Sequence, residues 1–463
     1  MTNARIYVIH HDKENYPLFD SDTIIPILAG NPVRDGYRIA LRDTVGVISI
    51  TDPEQQDIYS EFTALYYIWK NLAPSDPNSI VGFMHYRSFL DLRGGLSTTY
   101  PSLESRFGYD ASTLRSSLSQ GAPCVSLDGI PLAGTHGLDA IVSEPLTFQK
   151  GIYRQYDACH PMAATLFQKA KSLLEETQYP NAREFFDEHF SLGKYAGQSR
   201  QGFFKCLLLC SWRYFDAYCT FIFHILDNLY ADEAVRNEMQ RYQMIKGPDR
   251  PGTQKRTRFR LLAFFAERMT SFFIAYSIKN NRFRIGTAPR CHYESMKQLV
   301  QEVYPAFPNE KLRPVLRVYS IEKQDHMPVS DLNELNTMKD QGYFCEGPLG
   351  YIYTEQVPGS TPVYRVLFKS GKHCCTKDLH CVFNYKEYKI LGYTRDFPTP
   401  SQYETLHLEE YVLVGQVDGY VTTTNPKEFP VTEYDPNRPD ADKMADLGYL
   451  VDVWGREREA RLL

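Results

Sequence analysis

His85-Tyr86-Arg87 follows a short apolar run, residues 80–84 (IVGFM), so three polar-tipped side chains stand at the end of a predicted buried strand. An arginine in that position can grip a diphosphate with two parallel N–H donors, and it stays charged at any working pH. His10 stands in the same relation to a second β-branched run, residues 4–9 (ARIYVI). In open α/β sheets the ligand crevice forms where loops leave the strand ends, which makes both histidines candidates for a binding site. A loop histidine with no ligand is the other reading of His10. Hard cations want oxygen ligands, which neither His85 nor Arg87 supplies. The D-x-D early in the chain, Asp20-Ser21-Asp22, lies in a loop before Pro26 and is discounted.

The elements that must position these residues can be read in order. Leu65, Ile68 and Trp69 recur at helical spacing, and residues 61–71 contain neither Gly nor Pro, which predicts a helix. Pro74, Asp76, Pro77 and Asn78 end it, and the strand 80–84 follows. A helix is expected over 110–118 and a short strand over 138–142, closed by Pro145. Residues 153–176 read as helical, with Tyr156 and His160 four apart and so on one face. Residues 203–209 are strongly apolar, and the aromatics of 212–230 recur at helical spacing as core. Between 246 and 260 lies a basic stretch, either a solvated loop or a contact for a diphosphate.

Composition bounds the function. A chain of 463 residues exceeds one ordinary domain, and 43% hydrophobic residues supply ample core. A net charge of −5 argues against general nucleic-acid binding. No uninterrupted apolar run reaches the length of a spanning helix, and the first residues carry charges throughout, so neither a membrane span nor a secretory signal is expected. Ten cysteines without regular spacing suit a reducing cytoplasm, and the adjacent Cys374-Cys375 lacks the CxxC spacing of a metal or redox pair.

Residues 61–71 (EFTALYYIWKN) with His85-Tyr86-Arg87-Ser88-Phe89 resemble the signature of a bacterial glycosyltransferase family of capsule and exopolysaccharide loci, long catalogued as a domain of unknown function. Ser88 stands where the relatives carry a second arginine. The resemblance covers roughly residues 4–280 and implies a GT-A-like, nucleotide-sugar-binding α/β domain. It marks His10, Asp43, His85, Arg87 and Arg268 as donor-binding and Asp139 and Glu267 as candidates for the catalytic base. Asp43, in a D-x-x-G segment, would meet a ribose hydroxyl or a uracil edge, or else satisfies local backbone N–H groups in a turn. Tyr156 and His160 match a Tyr/His pair of the relatives, and Lys205 falls where they carry an asparagine, on the acceptor side.

Beyond residue 313 the character changes to short β-rich segments that repeat. Val315-Leu316-Arg317-Val318-Tyr319 is echoed by Val363-Tyr364-Arg365-Val366-Leu367, and faintly by Leu408-Glu409-Glu410-Tyr411-Val412. Each leads to a second marker: Gln341-Gly342-Tyr343, Leu391-Gly392-Tyr393, Leu447-Gly448-Tyr449. His326 and His373 lie between in the first two units, and the third has lost both the arginine and the histidine. Three units call for a repeat architecture and are the number that closes a β-trefoil. The pattern resembles a bacterial trefoil repeat, and the expected plan is residues 1–290 as the transferase domain, 291–313 as a linker and 314–463 as the trefoil-like domain.

The function this implies is transfer of a sugar from a nucleotide diphosphate, a UDP-sugar with galactose forms among the donors, to a glycan or lipid-linked acceptor. It would take place in the cytoplasm or at the inner face of the membrane. Many transferases with one nucleotide-binding domain hold a divalent metal with D-x-D; here Arg87 would neutralise the phosphates, so no cofactor is required. Asp43, Asp91 and Asp139 are the carboxylates that could rebuild a metal site from separate loops. The alternatives are a non-catalytic carbohydrate-binding protein and a structural subunit of a polysaccharide assembly complex. A trefoil often binds sugars, but fold alone does not establish that it does.

Overall fold

A computed structural model describes residues 4–10, 19–29, 39–41, 59–93, 103–121, 124–127, 130–132, 137–160, 163–237 except 176 and 205, 261–304, 311–395 except 321, 324, 370, 378 and 380–384, and the strands 409–414, 419–423 and 449–452. The chain divides into two compact units, the first reaching His292 and the second beginning at Tyr293.

The first unit is built on a mixed sheet. Its strands are β1 (Ala4–His10), β2 (Ile24–Leu28), β3 (Ile39–Ala40), β4 (Ile80–His85), β5 (Ser88–Leu90), β6 (Ala140–Ser143), β7 (Leu208–Ser211), β8 (Ile285–Ala288) and β9 (Arg290–His292). The main order is β8-β6-β7-β4-β1-β2-β3, with β5 beside β4 and β9 paired to β5. β1, β2, β3 and β4 are mutually parallel, as are β6 and β8, whereas β7 runs antiparallel to both β4 and β6. One reversed strand thus sits between two parallel blocks. Continuous apolar stretches mark strands buried on both faces, and all of Ile80–Met84 in β4 is buried. Gly82 fits because a Cβ there would collide with the Ile6 side chain on the neighbouring β1.

Three helices matter for the site. α1 (Phe62–Asn71) buries Phe62, Leu65 and Ile68, and Trp69 stacks on Phe223 of α2 (Trp212–Ala231) with 5.8 Å between ring centroids. The turn into β4 is an Asx turn, Asn78 N–H donating to Asp76 Oδ1 at 2.8 Å. α3 (Leu261–Lys279) is long and apolar enough to cross a membrane by length and composition, yet 83% of that window is buried inside the protein. A helix apolar on all sides is a core helix when other elements surround it, and here Phe272 and Phe273 pack on Phe221 of α2.

The second unit opens with α4 (Met296–Val303), held by a capping box between Ser295 and Gln298, inside the stretch expected to be a linker. Six strands follow: β10 (Leu312–Ser320), β11 (Asp325–Val329), β12 (Phe344–Tyr353), β13 (Ser360–Phe368), β14 (His373–Thr376) and β15 (Tyr385–Arg395), with α5 (Leu332–Asp340) between β11 and β12. They form one sheet in the order β11-β10-β12-β15-β13-β14. β16 (Glu409–Val414), β17 (Gly419–Thr423) and β18 (Tyr449–Asp452) form a further three-stranded sheet. In each triplet the first strand pairs antiparallel with both the second and the third. The sequence repeat is therefore a repeat of strand pairing.

The repeat's glycines have separate reasons. Gly342 adopts φ +80° just after α5, where Tyr343 N–H returns to Met338 O, a left-handed helix stop. Gly392 instead leaves room for the Tyr353 carbonyl, which a Cβ would strike. The arginine and histidine markers of the second repeat face the first repeat rather than an open pocket. Arg365 donates to Glu334 at 2.5 Å and to Pro328 O at 3.1 Å, while His373 reaches Asp325.

Candidate functional site

The carboxyl ends of β1 and β4 lie side by side because Ile9 pairs with His85 in register. His10 follows immediately and is fully buried. Tyr86 N–H donates to Ile9 O at 3.0 Å, which turns the chain at the strand end and buries the Tyr86 ring. That ring lies 5.8 Å from His10, 4.0 Å from His85 and 5.6 Å from the Arg87 guanidinium. The three strand-end residues and His10 thus form one group around Tyr86. Ser88, where relatives carry a second arginine, is buried in β5 and pairs its hydroxyl with His292 Nδ1 at 2.6 Å.

The antiparallel β7 enters at this same edge. Its register sets Phe83 opposite Leu208, two residues short of His85 on one strand and of Cys206 on the other. Burial pushes the Cys206 thiol well up, and the negative charges of Glu61 and Glu267 push it further, Glu61 also accepting its hydrogen bond. Glu61 opens α1 and Glu267 lies in the first half of α3. Two carboxylates from distant parts of the chain therefore both lie within electrostatic reach of Cys206, just before the strand that runs antiparallel beside β4. Sequence reasoning used Glu61 as the start of a helix and of the family string, and gave it no role in a site.

Arg268 holds this side together. It pairs with Glu267 at 3.0 Å, donates to Gln155 Oε1 at 2.8 Å and to Phe264 O at 3.0 Å. Its guanidinium lies 5.0 Å from the rings of both Tyr156 and Phe204. Its Nε is buried without a hydrogen-bond partner among the described residues. Tyr156 and His160 are both buried, their rings 4.7 Å apart, with His160 stacked on Phe264. They support the start of α3, Tyr156 OH donating to Leu261 O at 3.2 Å. Asp43, Lys205 and the basic stretch 246–260 lie outside the described residues.

Asp139 is placed elsewhere. It precedes β6, so it sits at the amino edge of the parallel strands, away from the carboxyl ends of β1 and β4. There it accepts from Arg213 at 2.5 Å and from the Arg284 N–H at 2.9 Å. Asp20-Ser21-Asp22 likewise precedes β2, and Ser21 donates its hydroxyl to Glu104. Asp91 forms a buried pair with Arg106 at 3.1 Å. Among the described residues no three His, Cys, Asp or Glu side chains form a group that could hold a metal.

No curated protein matches the chain. Among solved structures, the apo form of the bifunctional glycosyltransferase WbbM is similar with a TM-score of 0.43 and 17% identity, over 63% of this chain and 46% of that one. The chain thus spans less than half the length of that protein. Residues 290–394 match the model of a second family, described as a domain of unknown function (DUF5648). Residues 5–280, more than half of the chain, match another family model and take in the strand-end group, Glu61, Glu267 and Arg268. The chain belongs to the family described as domain of unknown function (DUF4422).

Proposed function

We propose that the first unit is a GT-A-like glycosyltransferase that moves a sugar from a UDP-sugar to a hydroxyl of a glycan or lipid-linked acceptor. The observation that carries this reading is the meeting, at one edge of a mixed sheet, of Arg87 and two histidines with the carboxylates Glu61 and Glu267. Cations at strand ends suit the diphosphate of a nucleotide sugar, and carboxylates beside them suit an attacking hydroxyl. The signature that residues 61–89 share with capsule and exopolysaccharide transferases points the same way.

In the reaction the acceptor oxygen forms a bond to the anomeric carbon as the bond from that carbon to the β-phosphate oxygen breaks. One carboxylate of the Glu61–Glu267 pair takes the hydroxyl proton, and UDP leaves with the bonding electrons. Arg87 neutralises the charge that grows on the diphosphate, where fixed charge lowers the barrier most. Arg268 holds Glu267 and, through Phe264, Tyr156 and His160, fixes the start of α3. Reaction would take place in the cytoplasm, at the inner membrane face when the acceptor is lipid-linked. The second unit is read as a trefoil-like domain, on the ground that its three strand triplets pair alike.

The test is a panel of nucleotide sugars scored by melting temperature and by released nucleotide. A ligand of the native state raises the melting temperature by mass action. UDP-sugars should do so, and UDP should appear once a glycan acceptor is added. If no nucleotide sugar shifts the melting temperature and none is consumed, the protein is not a transferase.

A further inference from the structure

In the second repeat, β13 and β14 bury a small apolar cluster of Val366, Phe368 and Cys374, separate from the cluster that contains Val315, Ile352 and Leu391. Tyr364 and Tyr385 pack against it. At its margin on β15, Tyr388 and Ile390 are left 51% and 44% exposed, two of the few large apolar side chains so exposed among the described residues. A register shift between Leu367 and Phe368 leaves Lys386 as the extra residue, which brings Tyr385 and Tyr388 to the same side of the strand. The rings of Tyr364 and Tyr385 stand edge-on to Tyr388 at 5.6 and 6.0 Å. The result is a fixed aromatic shelf with one half-open ring.

Charge sets the kind of ligand. Residues 360–395 contain seven Lys or Arg and two Asp or Glu, within a chain whose net charge is −5; Arg365 and Lys389 are paired with Glu334, which leaves five cations against the two acids. Lys369 and Lys386 are exposed on this repeat. We propose that this aromatic and basic edge around Tyr388 binds an acidic polysaccharide, sugar rings lying on the tyrosine and carboxylates or phosphates meeting the lysines. A neutral glycan would use the shelf and leave the lysines idle. A nucleic acid would want a basic face on a basic protein, which the overall charge does not offer. The proposal needs no nucleotide sugar and is independent of the chemistry assigned to the first unit.

Affinity electrophoresis of the full chain tests it, in native gels containing polygalacturonate or dextran, with single-stranded DNA as a separate competitor. Polygalacturonate should retard the protein, and added salt should release it. Dextran should not retard it, and DNA should not displace the polymer. Tyr388→Ala should weaken retardation about ten-fold, the effect of losing a half-open ring. Lys386→Gln, an exposed change that leaves the rings in place, should weaken it and flatten the salt dependence. Equal retardation by dextran, displacement by DNA, no retardation at all, or retention unchanged by both substitutions would each overturn the proposal.

Discussion

Glu61 and Glu267 both lie near the Cys206 thiol, where their charges add to burial in pushing it up, although one opens α1 and the other lies within α3. Such a convergence of acids beside cationic strand ends predicts a division between binding and turnover. Glu61→Gln and Glu267→Gln should each lower the transfer rate, by about 10²–10⁴-fold for the residue that takes the proton. UDP affinity, measured by titration calorimetry, should stay within a few-fold of the parent for both. A Gln variant at both positions that still transfers at the parental rate removes the carboxylates from the mechanism.

Arg87 carries the donor phosphates in this scheme. Arg87→Ala should weaken UDP binding by about 10–100-fold, the range for a charge-assisted hydrogen bond. Arg87→Lys should recover only part of it, because an ammonium lacks the planar fork. Unchanged UDP affinity in folded Arg87→Ala would place the phosphates elsewhere.

Transfer should persist in excess chelator, since arginine can neutralise a diphosphate without a cation between them. The rate with and without chelator decides. Complete loss, restored by manganese alone, would mean that carboxylates hold a metal and that the strand-end arginine does not replace it.

Asp139 should affect folding and little else. Asp139→Asn removes the charge that meets Arg213 and weakens its hold on the Arg284 N–H. A loss of about 1–2 kcal/mol in denaturant unfolding is expected. UDP affinity should not change, and a selective loss of turnover at normal stability would return Asp139 to the site.

Acid should loosen the joint between the first two repeats. Burial raises the Asp325 carboxyl, but hydrogen bonds from His373 and Tyr343 and the His373 charge outweigh it and hold the group below the usual range. A depressed carboxyl stabilises the fold above its unfolded value, about 3.9, and loses that contribution as pH falls through the lower folded value. Melting temperature should therefore drop between pH 5 and more acidic buffer, and Asp325→Asn should flatten that dependence while costing about 3 kcal/mol at neutral pH. An Asp325→Asn profile parallel to the parent would mean the pair is not the acid-sensitive element.

The order of strand and polar residue was legible in the sequence, and its meaning at the sheet edge was legible only in part. His10 and His85 are the last residues of their strands and come together at the carboxyl edge. Asp139 precedes its strand, and strand direction puts it at the opposite edge. The sequence expectation of a strand over 138–142 took Asp139 into the strand, so order alone did not reveal this. Glu61 was hidden for another reason. Its place depends on where the antiparallel β7 enters, and no local pattern announces a reversed strand between two parallel ones. The repeat was read from its markers, but Arg365 and His373 serve the contact between repeats, a use that spacing does not reveal.

Those two residues tie the second repeat back to the first through Glu334, Pro328 and Asp325. At the corresponding register positions the third repeat has Tyr411, opposite Val421, and Gly419, opposite Leu413. At those two positions the residue types are not an arginine and a histidine, so the latch belongs to the first two repeats. Stretched between a bead and a surface, the first two repeats would give way together, as one latched pair, rather than one after the other.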